Sequence, residues 1–254
     1  IEILKNTKTK IPKVYYSGSF NGEDYYIASL IEGIRFSQFC QKATLDEFLK
    51  SVNNLGTVLN GVRSLSFSAY GDISNPLYAN WSSRIGDLLD KKVNDTVIKQ
   101  YLNKDIIAKI RKLFENSRSE LDSTGNPTLV IYDLHKDNFL VNNHGQLSGF
   151  YDFDFSTFAP GCLDFIPIEF SVMNSLGEQH FDEARDAFYA GYNNGQKICY
   201  DKNVRQIHFL NHFLAAIKIY HEREFPRDSW SKNFTERVNK IVNKNYVDLT
   251  PLKK

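Results

Sequence analysis

Cysteine is scarce in this sequence and never forms a motif. The three cysteines, Cys40, Cys162 and Cys199, lie far apart, and no C-x-x-C pair occurs. This pattern excludes a disulfide framework and a cysteine zinc site, and it favours a reducing cytoplasm. No run of apolar residues approaches the length of about eighteen that a transmembrane helix needs. A membrane is therefore not an expected partner.

Several motifs of familiar enzyme classes are also absent. There is no G-x-S-x-G, which excludes a hydrolase nucleophile elbow, and no G-x-x-x-x-G-K-[ST], which excludes an ordinary P-loop. His208 and His212 have the spacing of a zinc pair on a helix, but Phe209 stands where a zinc protease needs glutamate. We therefore predict that these histidines belong to the core or to an amphipathic helix face rather than to a metal site. Basic residues are scattered rather than clustered, so no nucleic-acid partner is expected.

The acidic residues are concentrated in one part of a chain whose charge is otherwise balanced. The 254 residues carry a formal net charge of +1. Between Asp133 and Glu183 nine acidic side chains occur, and Lys136 is the only lysine or arginine among them. Carboxylates at this density repel one another unless cations lie between them. The segment therefore indicates metal ions, a cationic ligand or both, or else a solvated acidic surface.

The first part of the chain has the pattern of a β hairpin. Residues 14–16 are β-prone, residues 25–31 form a second extended run, and turn-forming residues 17–22 lie between them. Farther along, residues 66–96 contain Gly, Asn, Pro and Ser and are predicted to be irregular.

Helical periodicity begins at about residue 43. Apolar side chains then recur at helical spacing, with Thr44 as the expected N-cap, and Asn103 is expected to cap a later helix. Beyond Pro167 the chain is again predicted to be helical. Two apolar stripes there are expected to be core, one with Phe181, Ala184, Phe188 and Tyr192, the other with Ile207, Leu210, Leu214, Ile217 and His221.

A second hairpin is predicted in the middle of the chain. The apolar run at residues 128–132 indicates a strand. Residues 139–141 and 149–151 then flank the turn sequence Asn-Asn-His-Gly at 142–145, which favours a tight reversal.

Three polar side chains surround this predicted hairpin. Asp133 is followed five positions later by Asn138, and Asp152 comes after the turn. Phosphoryl transfer to a hydroxyl needs a carboxylate that orients the hydroxyl and oxygen ligands that hold a metal ion. Because the hairpin returns the chain to its starting edge, Asp152 is expected beside the loop that holds Asp133 and Asn138.

At these positions the chain resembles the aminoglycoside phosphotransferase and choline kinase-like enzymes, relatives of the protein kinases. Their catalytic loop has the pattern H-G-D-x-x-x-x-N, followed by a hydrophobic-Asp segment, and residues 131–138 and 149–154 fit these two parts. The resemblance implies an α+β, protein-kinase-like fold with a mostly helical C-lobe and a partial β-rich N-lobe. It also implies that Asp133 is the catalytic base and that Asn138 and Asp152 hold Mg²⁺.

The same resemblance implies a nucleotide site. Residues 11–14 and 25–33 resemble the strands that lead into the hinge between the two lobes of these enzymes. In the family the adenine ring bonds to hinge main chain, which is expected here at Ser29, Leu30 and Ile31. The expected co-substrate and partner is a nucleoside triphosphate, ATP or GTP.

The chain also departs from the family pattern. Ile131 stands where the family has the histidine that opens the loop motif, which puts the fine geometry of the loop in question. No G-x-G occurs, and the strand lysine that grips the phosphates is missing. We expect an incomplete N-lobe, at residues 1–32, ahead of a C-lobe at residues 33–254. A non-catalytic pseudokinase or binding module remains an alternative reading.

The expected acceptor is a small cationic molecule that carries a hydroxyl, such as an aminoglycoside. This expectation comes from the acidic segment and from the family; choline, an amino sugar or a protein hydroxyl are alternatives. The resemblance gives Asp164 a role in bracing the catalytic loop, and His135 is expected to be structural. Asp154 is expected to be solvated. Three glutamates are candidates for binding the cation: Glu169, Glu222 and Glu224.

Overall fold

The computed structural model of the chain describes Leu4 and residues 11–194, 201–223 and 228–250. The described residues form a mixed α+β protein in which helices predominate, as the sequence predicts. Two compact units are present. The first comprises Ile1–Ser66, Ile131–Ser156 and Pro167–Ile198, and the second comprises Phe67–Val130, Thr157–Ile166 and Cys199–Lys254.

The elements are numbered in chain order. The strands are β1 Val14–Phe20, β2 Glu23–Ala28, β3 Ile34–Arg35, β4 Tyr70–Asp72, β5 Asn75–Tyr78, β6 Thr128–Ile131, β7 Phe139–Val141, β8 Leu147–Phe150 and β9 Ser156–Ala159. The helices are α1 Phe36–Cys40, α2 Leu45–Val62, α3 Trp81–Asn94, α4 Ile98–Tyr101, α5 Lys104–Asn116, α6 Arg118–Asp122, α7 Phe165–Pro167, α8 Phe181–Tyr192, α9 Lys202–Glu222 and α10 Asp228–Lys244.

The first unit begins with the predicted hairpin, β1 paired antiparallel with β2. Its turn is shorter than the sequence suggests, because β1 continues to Phe20 and only Asn21 and Gly22 reverse the chain. Both turn residues have positive φ, 52° and 83°, the geometry of a two-residue turn whose twist matches that of the strands. The predicted second strand is also shorter, since β2 ends at Ala28.

A three-stranded sheet in the first unit has the order β3-β7-β8. The predicted hairpin between β7 and β8 is confirmed, with Phe139 opposite Phe150. Its turn is held by Asn142, whose Oδ1 accepts hydrogen bonds from the backbone nitrogens of His144 at 2.9 Å and Gln146 at 3.0 Å. This arrangement fixes the register of the two strands that flank the candidate site.

Helices α2 and α8 pack closely in the first unit. The predicted cap of α2 is confirmed: Thr44 and Glu47 form a reciprocal capping box, with the Glu47 carboxylate 2.8 Å from the Thr44 nitrogen. Two glycines permit the close approach of these helices. A Cβ at Gly56 would lie 2.3 Å from the Phe188 oxygen, and one at Gly191 would lie 2.0 Å from the Asn53 oxygen.

The second unit contains a four-stranded sheet of order β5-β4-β9-β6 and helices that include α3, α5, α9 and α10. The prediction that residues 66–96 are irregular is wrong, because β4, β5 and α3 lie there. The buried residues Trp81, Ile85, Leu89 and Val93 recur every four positions along α3. The turn-forming residues around this helical period led to the prediction of irregular structure. The predicted cap of α5 is confirmed, with the Asn103 side chain 3.0 Å from the Ile106 nitrogen.

His208 belongs to the core of the second unit, as predicted. Its side chain is fully buried, and its Nε2 accepts a hydrogen bond from Trp81 Nε1 at 2.8 Å. Burial lowers the pKa of His208 to about 3, because the charged imidazolium would lose its hydration. The histidine is therefore a neutral hydrogen-bond acceptor in the folded protein.

None of the described helices is long and apolar enough to cross a membrane. The predicted division of the chain into lobes at residues 32 and 33 stays a prediction.

Candidate active site

The loop that carries the first two candidate residues precedes the β7–β8 hairpin in the first unit. Asp133 comes two positions after the end of β6, and Asn138 immediately precedes β7. The loop is compact because the backbone nitrogen of His135 donates to the Asp133 oxygen and that of Asn138 donates to the His135 oxygen, both at 2.9 Å. The six residues from Asp133 to Asn138 are thereby folded into a tight turn.

Asp152 lies beside this loop because the hairpin brings its two ends together. Antiparallel pairing places Phe139 opposite Phe150, and the ladder continues outward with a 3.3 Å bond from the Tyr151 nitrogen to the Asn138 oxygen. Asp152 is the next residue along the chain. The spatial arrangement expected from the turn sequence is therefore the arrangement of the backbone.

The side chain of Asn138 is turned towards Asp133. Its Nδ2 donates to the Asp133 main-chain oxygen at 2.9 Å and lies 3.3 Å from the Asp133 carboxylate oxygen Oδ2. Because an amide carries its nitrogen and oxygen on opposite sides, Oδ1 of Asn138 faces away from that contact. Asn138 is only 6% exposed, whereas Asp133 is half-buried, so the amide is held in a fixed orientation.

Asp152 has an unusual backbone conformation. Its φ is 63°, in the left-handed region that side chains other than glycine, asparagine and aspartate seldom adopt. The residue is exposed and follows directly on the last hydrogen bond of the hairpin. Local strain of this kind is often found at functional sites, where it aims a side chain in a particular direction.

The oxygen donors at this point suit a hard divalent cation. The carboxylate of Asp152 and the amide oxygen of Asn138 are donors of the kind that Mg²⁺ takes in proteins, where water or phosphate oxygens complete the coordination. No group of three or more His, Cys, Asp or Glu side chains among the described residues has the arrangement of a metal site. A site here would therefore depend on the amide of Asn138 and on ligands from a substrate.

The predicted hinge residues line a cavity in the first unit. Its volume is about 1170 Å³, and its walls include Ser29, Leu30 and Ile31 together with Ser148 of β8. Ser29 is engaged, since its nitrogen donates to the Lys13 oxygen at 2.9 Å. Within the described part of the chain, the main-chain groups of Leu30 and Ile31 have no hydrogen-bond partner. Unsatisfied main-chain groups beside a cavity are suited to a planar polar ligand.

The loop, the hairpin and the cavity all lie in a part of the chain that matches a protein family. The profile of the phosphotransferase enzyme family matches residues 1–202, which is most of the chain and includes the loop, the hairpin and the cavity. The chain belongs to the phosphotransferase enzyme family. No curated protein sequence matches this phosphotransferase.

Solved structures of aminoglycoside phosphotransferases resemble the phosphotransferase described here. APH(4)-Ia aligns with a TM-score of 0.69 and 14% identity over 96% of this chain and 80% of its own. A GDP complex of aminoglycoside 2'-phosphotransferase-IIIa gives 0.64 and 17%, over 94% and 78%. The gentamicin complex of APH(2'')-IIa gives 0.61 and 16%, over 99% and 80%. At these identities the likeness establishes the protein-kinase-like fold.

The remaining predicted residues of the phosphotransferase differ in their surroundings. Asp164 is fully buried in the second unit, and its predicted bracing of the catalytic loop stays a prediction. Glu169 is also fully buried, and its Oε1 accepts a 2.5 Å bond from Tyr189. The predicted role of Glu169 in binding a cationic substrate stays a prediction. Asp154 is exposed, as expected.

The other two glutamates predicted to bind the cation lie at the end of α9 or beyond it. Glu222 is exposed in the second unit, 3.5 Å from the Lys218 amine. Glu224 lies outside the described residues. Neither observation tests a role in binding an acceptor.

Sequence reasoning did not identify the residues that hold the loop in place. Ser37, Ser171 and Tyr151 all bond to the stretch at 136–138, and Asp137 within that stretch receives two of these bonds. Of these residues only Asp137 had a signal in the sequence, because it is a carboxylate directly before Asn138 in the candidate loop. His135 contributes through Nδ1, which accepts from the Asp137 nitrogen at 3.1 Å.

Proposed function

We propose that this phosphotransferase moves the γ-phosphate of ATP or GTP to a hydroxyl of a small cationic molecule such as an aminoglycoside. The observation that carries the proposal is the convergence of Asp133, Asn138 and the backbone of Asp152 at one edge of the β7–β8 hairpin. A carboxylate beside an oxygen donor set is the minimal equipment of a phosphoryl-transfer site.

Asp133 would act on the acceptor. Its carboxylate would accept a hydrogen bond from the attacking hydroxyl, orient it towards the phosphate and receive its proton as transfer proceeds. The bond between Asn138 Nδ2 and the main-chain oxygen of Asp133 supports this role, since it limits the movement of the residue. An oriented nucleophile needs little further activation in this reaction.

Asn138 and Asp152 would hold Mg²⁺ through Oδ1 and a carboxylate oxygen. When bound, Mg²⁺ neutralises the charge of the phosphates and favours departure of the nucleoside diphosphate. The protein contributes rigidity on one side, from the buried amide of Asn138, and an exposed carboxylate on the other.

The cavity beside Leu30 and Ile31 supports a nucleotide as phosphate donor. Their main-chain groups, which have no hydrogen-bond partner among the described residues, would pair with the edge of a purine base, and Ser148 of β8 lines the same cavity. Ser148 lies in β8, and Asp152 follows two residues after that strand ends, so one short stretch of chain links the proposed base site to the proposed metal site. Solved relatives include complexes with GDP and with AMP-PNP.

The nature of the acceptor is inferred from charge. Nine acidic side chains with a single lysine accompany the proposed site along the sequence, which favours a polycationic partner over a neutral one. Two similar structures contain hygromycin B and gentamicin as ligands of those proteins. Amino alcohols such as choline share the charge but offer fewer hydroxyls.

The test is transfer of radiolabelled γ-phosphate from ATP or GTP to a panel of aminoglycosides, amino sugars, choline and neutral sugars. Labelled aminoglycoside in the presence of Mg²⁺ is the expected product, and EDTA should abolish it. Reaction with neutral sugars alone would refute the charge argument. Nucleotide binding without transfer to any acceptor would favour the alternative of a non-catalytic binding protein.

A matched pair of variants tests the site itself. Asp152 and Asp154 are both exposed and lie two positions apart, so Asp152→Asn and Asp154→Asn make the same chemical change in the same segment. Loss of one ligand carboxylate should lower kcat/KM at least roughly a hundredfold, since even indirect supports of a metal are worth ten- to a hundredfold. Asp154→Asn should stay within about threefold of wild type. Equal losses would remove the assigned role of Asp152.

A further inference from the structure

In the three residues Lys136, Asp137 and Asn138, which end at the proposed metal ligand, every main-chain polar group is engaged. The nitrogen of Lys136 donates to Ser171 Oγ at 3.2 Å, and its oxygen accepts from the Ser37 nitrogen at 3.0 Å. The Asp137 nitrogen donates to His135, and the Asn138 nitrogen and oxygen pair with His135 and Tyr151. A loop satisfied in this way has one preferred conformation.

The three residues that bond to this stretch from outside it, Ser37, Tyr151 and Ser171, come from three separate parts of the first unit. Ser37 lies in α1, and Tyr151 lies at the end of the hairpin. Ser171 belongs to a short π-helical turn, Ile168–Val172. This form of helix is rare in proteins, and where it occurs it is frequently at a functional site. The loop is thus fixed by its surroundings as well as by the hydrogen bonds within it.

Tyr151 makes two of these contacts. Its nitrogen donates to the Asn138 oxygen at 3.3 Å, and its hydroxyl donates to the main-chain oxygen of Asp137. The second bond crosses from a side chain to the backbone fourteen positions earlier and is partly buried. Asp152, a proposed metal ligand, is the next residue in the chain. Tyr151 therefore connects the backbone at Asp152 to Asp137 and Asn138, the last two residues of the loop.

Asp137 extends this connection to helix α1. Its Oδ1 accepts a hydrogen bond from the hydroxyl of Ser37, whose own nitrogen bonds to Lys136. The Asp137 carboxylate is half-buried and already has a donor. It is therefore better placed to hold the loop than to bind an acceptor. One side chain and one carbonyl of Asp137 connect α1 to Tyr151.

We propose that Tyr151 is a positioning residue that sets the separation of Asn138 and Asp152, with Asp137 and Ser37 as its anchor. The inference rests on the proposed function, because it concerns the metal ligands assigned there. Asp152 holds a left-handed φ that costs free energy, so it needs a fixed neighbour to keep its carboxylate aimed. Without the hydroxyl bond of Tyr151 the two ligands would sample wider separations and bind the metal less tightly.

The experiment compares Tyr151→Phe with Tyr246→Phe in the full chain. Tyr246 is 56% exposed in the second unit, so its variant makes the same chemical change away from the proposed network. Two quantities are measured: the Mg²⁺ concentration for half-maximal transfer, and the dissociation constant of Mn²⁺ from its free electron paramagnetic resonance signal, with ADP present. The second readout does not depend on turnover.

Tyr151→Phe should raise both metal constants about five- to tenfold, which corresponds to one lost hydrogen bond. Saturating Mg²⁺ should restore kcat to within about twofold of wild type, which a general loss of structure would not allow. Ser37→Ala, acting from the other end of the anchor, should raise both constants in the same direction. It also provides the test if Tyr151→Phe fails to fold. Tyr246→Phe should leave both unchanged.

The outcomes separate the two proposals. If wild type transfers phosphate but Tyr151→Phe and Ser37→Ala keep its metal constants, the positioning role is wrong and the proposed function stands. If the variants lose kcat without any change in Mn²⁺ binding, the positioning role is also wrong. If wild type neither binds Mn²⁺ with ADP nor transfers phosphate, both proposals fall.

Discussion

The buried pair of Trp81 and His208 predicts a specific loss of stability in mild acid. His208 has a pKa of about 3 in the folded protein, well below the ordinary value of about 6.5 that it regains on unfolding. Below pH 6.5 His208 therefore binds a proton in the unfolded chain but stays neutral in the folded protein. Stability from this group is complete at neutral pH and is lost as pH falls from 6.5 towards 3.

The magnitude follows from the two pKa values. Each pH unit within that window costs about 1.4 kcal/mol, so lowering the pH from 7 to 5 removes about 2 kcal/mol of unfolding free energy through His208 alone. Replacing the histidine with glutamine keeps an acceptor for the Trp81 indole but removes the titration. His208→Gln should therefore lose about 2 kcal/mol less than wild type between the two pH values.

Urea unfolding followed by tryptophan fluorescence measures this difference. Both tryptophans, Trp81 and Trp230, lie in the second unit, so the signal reports on the unit that contains His208. His144→Gln is the control, because His144 is an exposed turn residue of the first unit and should behave as wild type. If wild type and His208→Gln show the same pH dependence to within about 0.5 kcal/mol, the imidazole is not held neutral by burial and the reasoning fails.

Two further predictions concern helix α2. Gly56→Ala should destabilise the protein by about 3 kcal/mol, because the added methyl group would overlap the Phe188 backbone. Gly61→Ala is the control in the same helix. It has open space around it and should stabilise the protein by up to about 1 kcal/mol. Equal shifts in thermal midpoint for these two variants would contradict the packing of α2 on α8. Thr44→Ala should cost about 1 kcal/mol through loss of the capping box; an unchanged midpoint in urea would show that the cap is not formed in solution.

Local signals in the sequence were sufficient for much of the fold. The hairpin turn at Asn142, the cap at Thr44 and the apolar stripe of α9 depend on neighbours a few positions away, and each was predicted. The stripe is buried only as far as Ile217, because His221, which was also expected to be core, is exposed near the end of the helix. Helix α3 was missed because its four buried apolar residues are separated by residues that include Ser, Gly and Asp, which weaken a helical pattern unless the partner surface is known. Its stability comes from tertiary packing rather than from intrinsic propensity.

The candidate site shows the same limit. Asp133, Asn138 and Asp152 could be brought together on paper because a single hairpin connects them. Ser37 could not be added, since it contacts Asp137 from a position a hundred residues earlier, and no local pattern marks a serine for that task. Long-range partners of this kind become visible only when the fold is known.

The short path between the two halves of the candidate site has a consequence for folding. Asp133 and Asp152 are separated by fewer than twenty intervening residues, and the turn centred on Asn142 closes the strands between them. Closing so small a loop costs little chain entropy, and hairpins form within microseconds. The edge of the hairpin that carries the candidate residues can thus form early in folding. Ser37 of α1 and Ser171 of the π-helical turn, which are distant in sequence, then add their hydrogen bonds and fix its conformation.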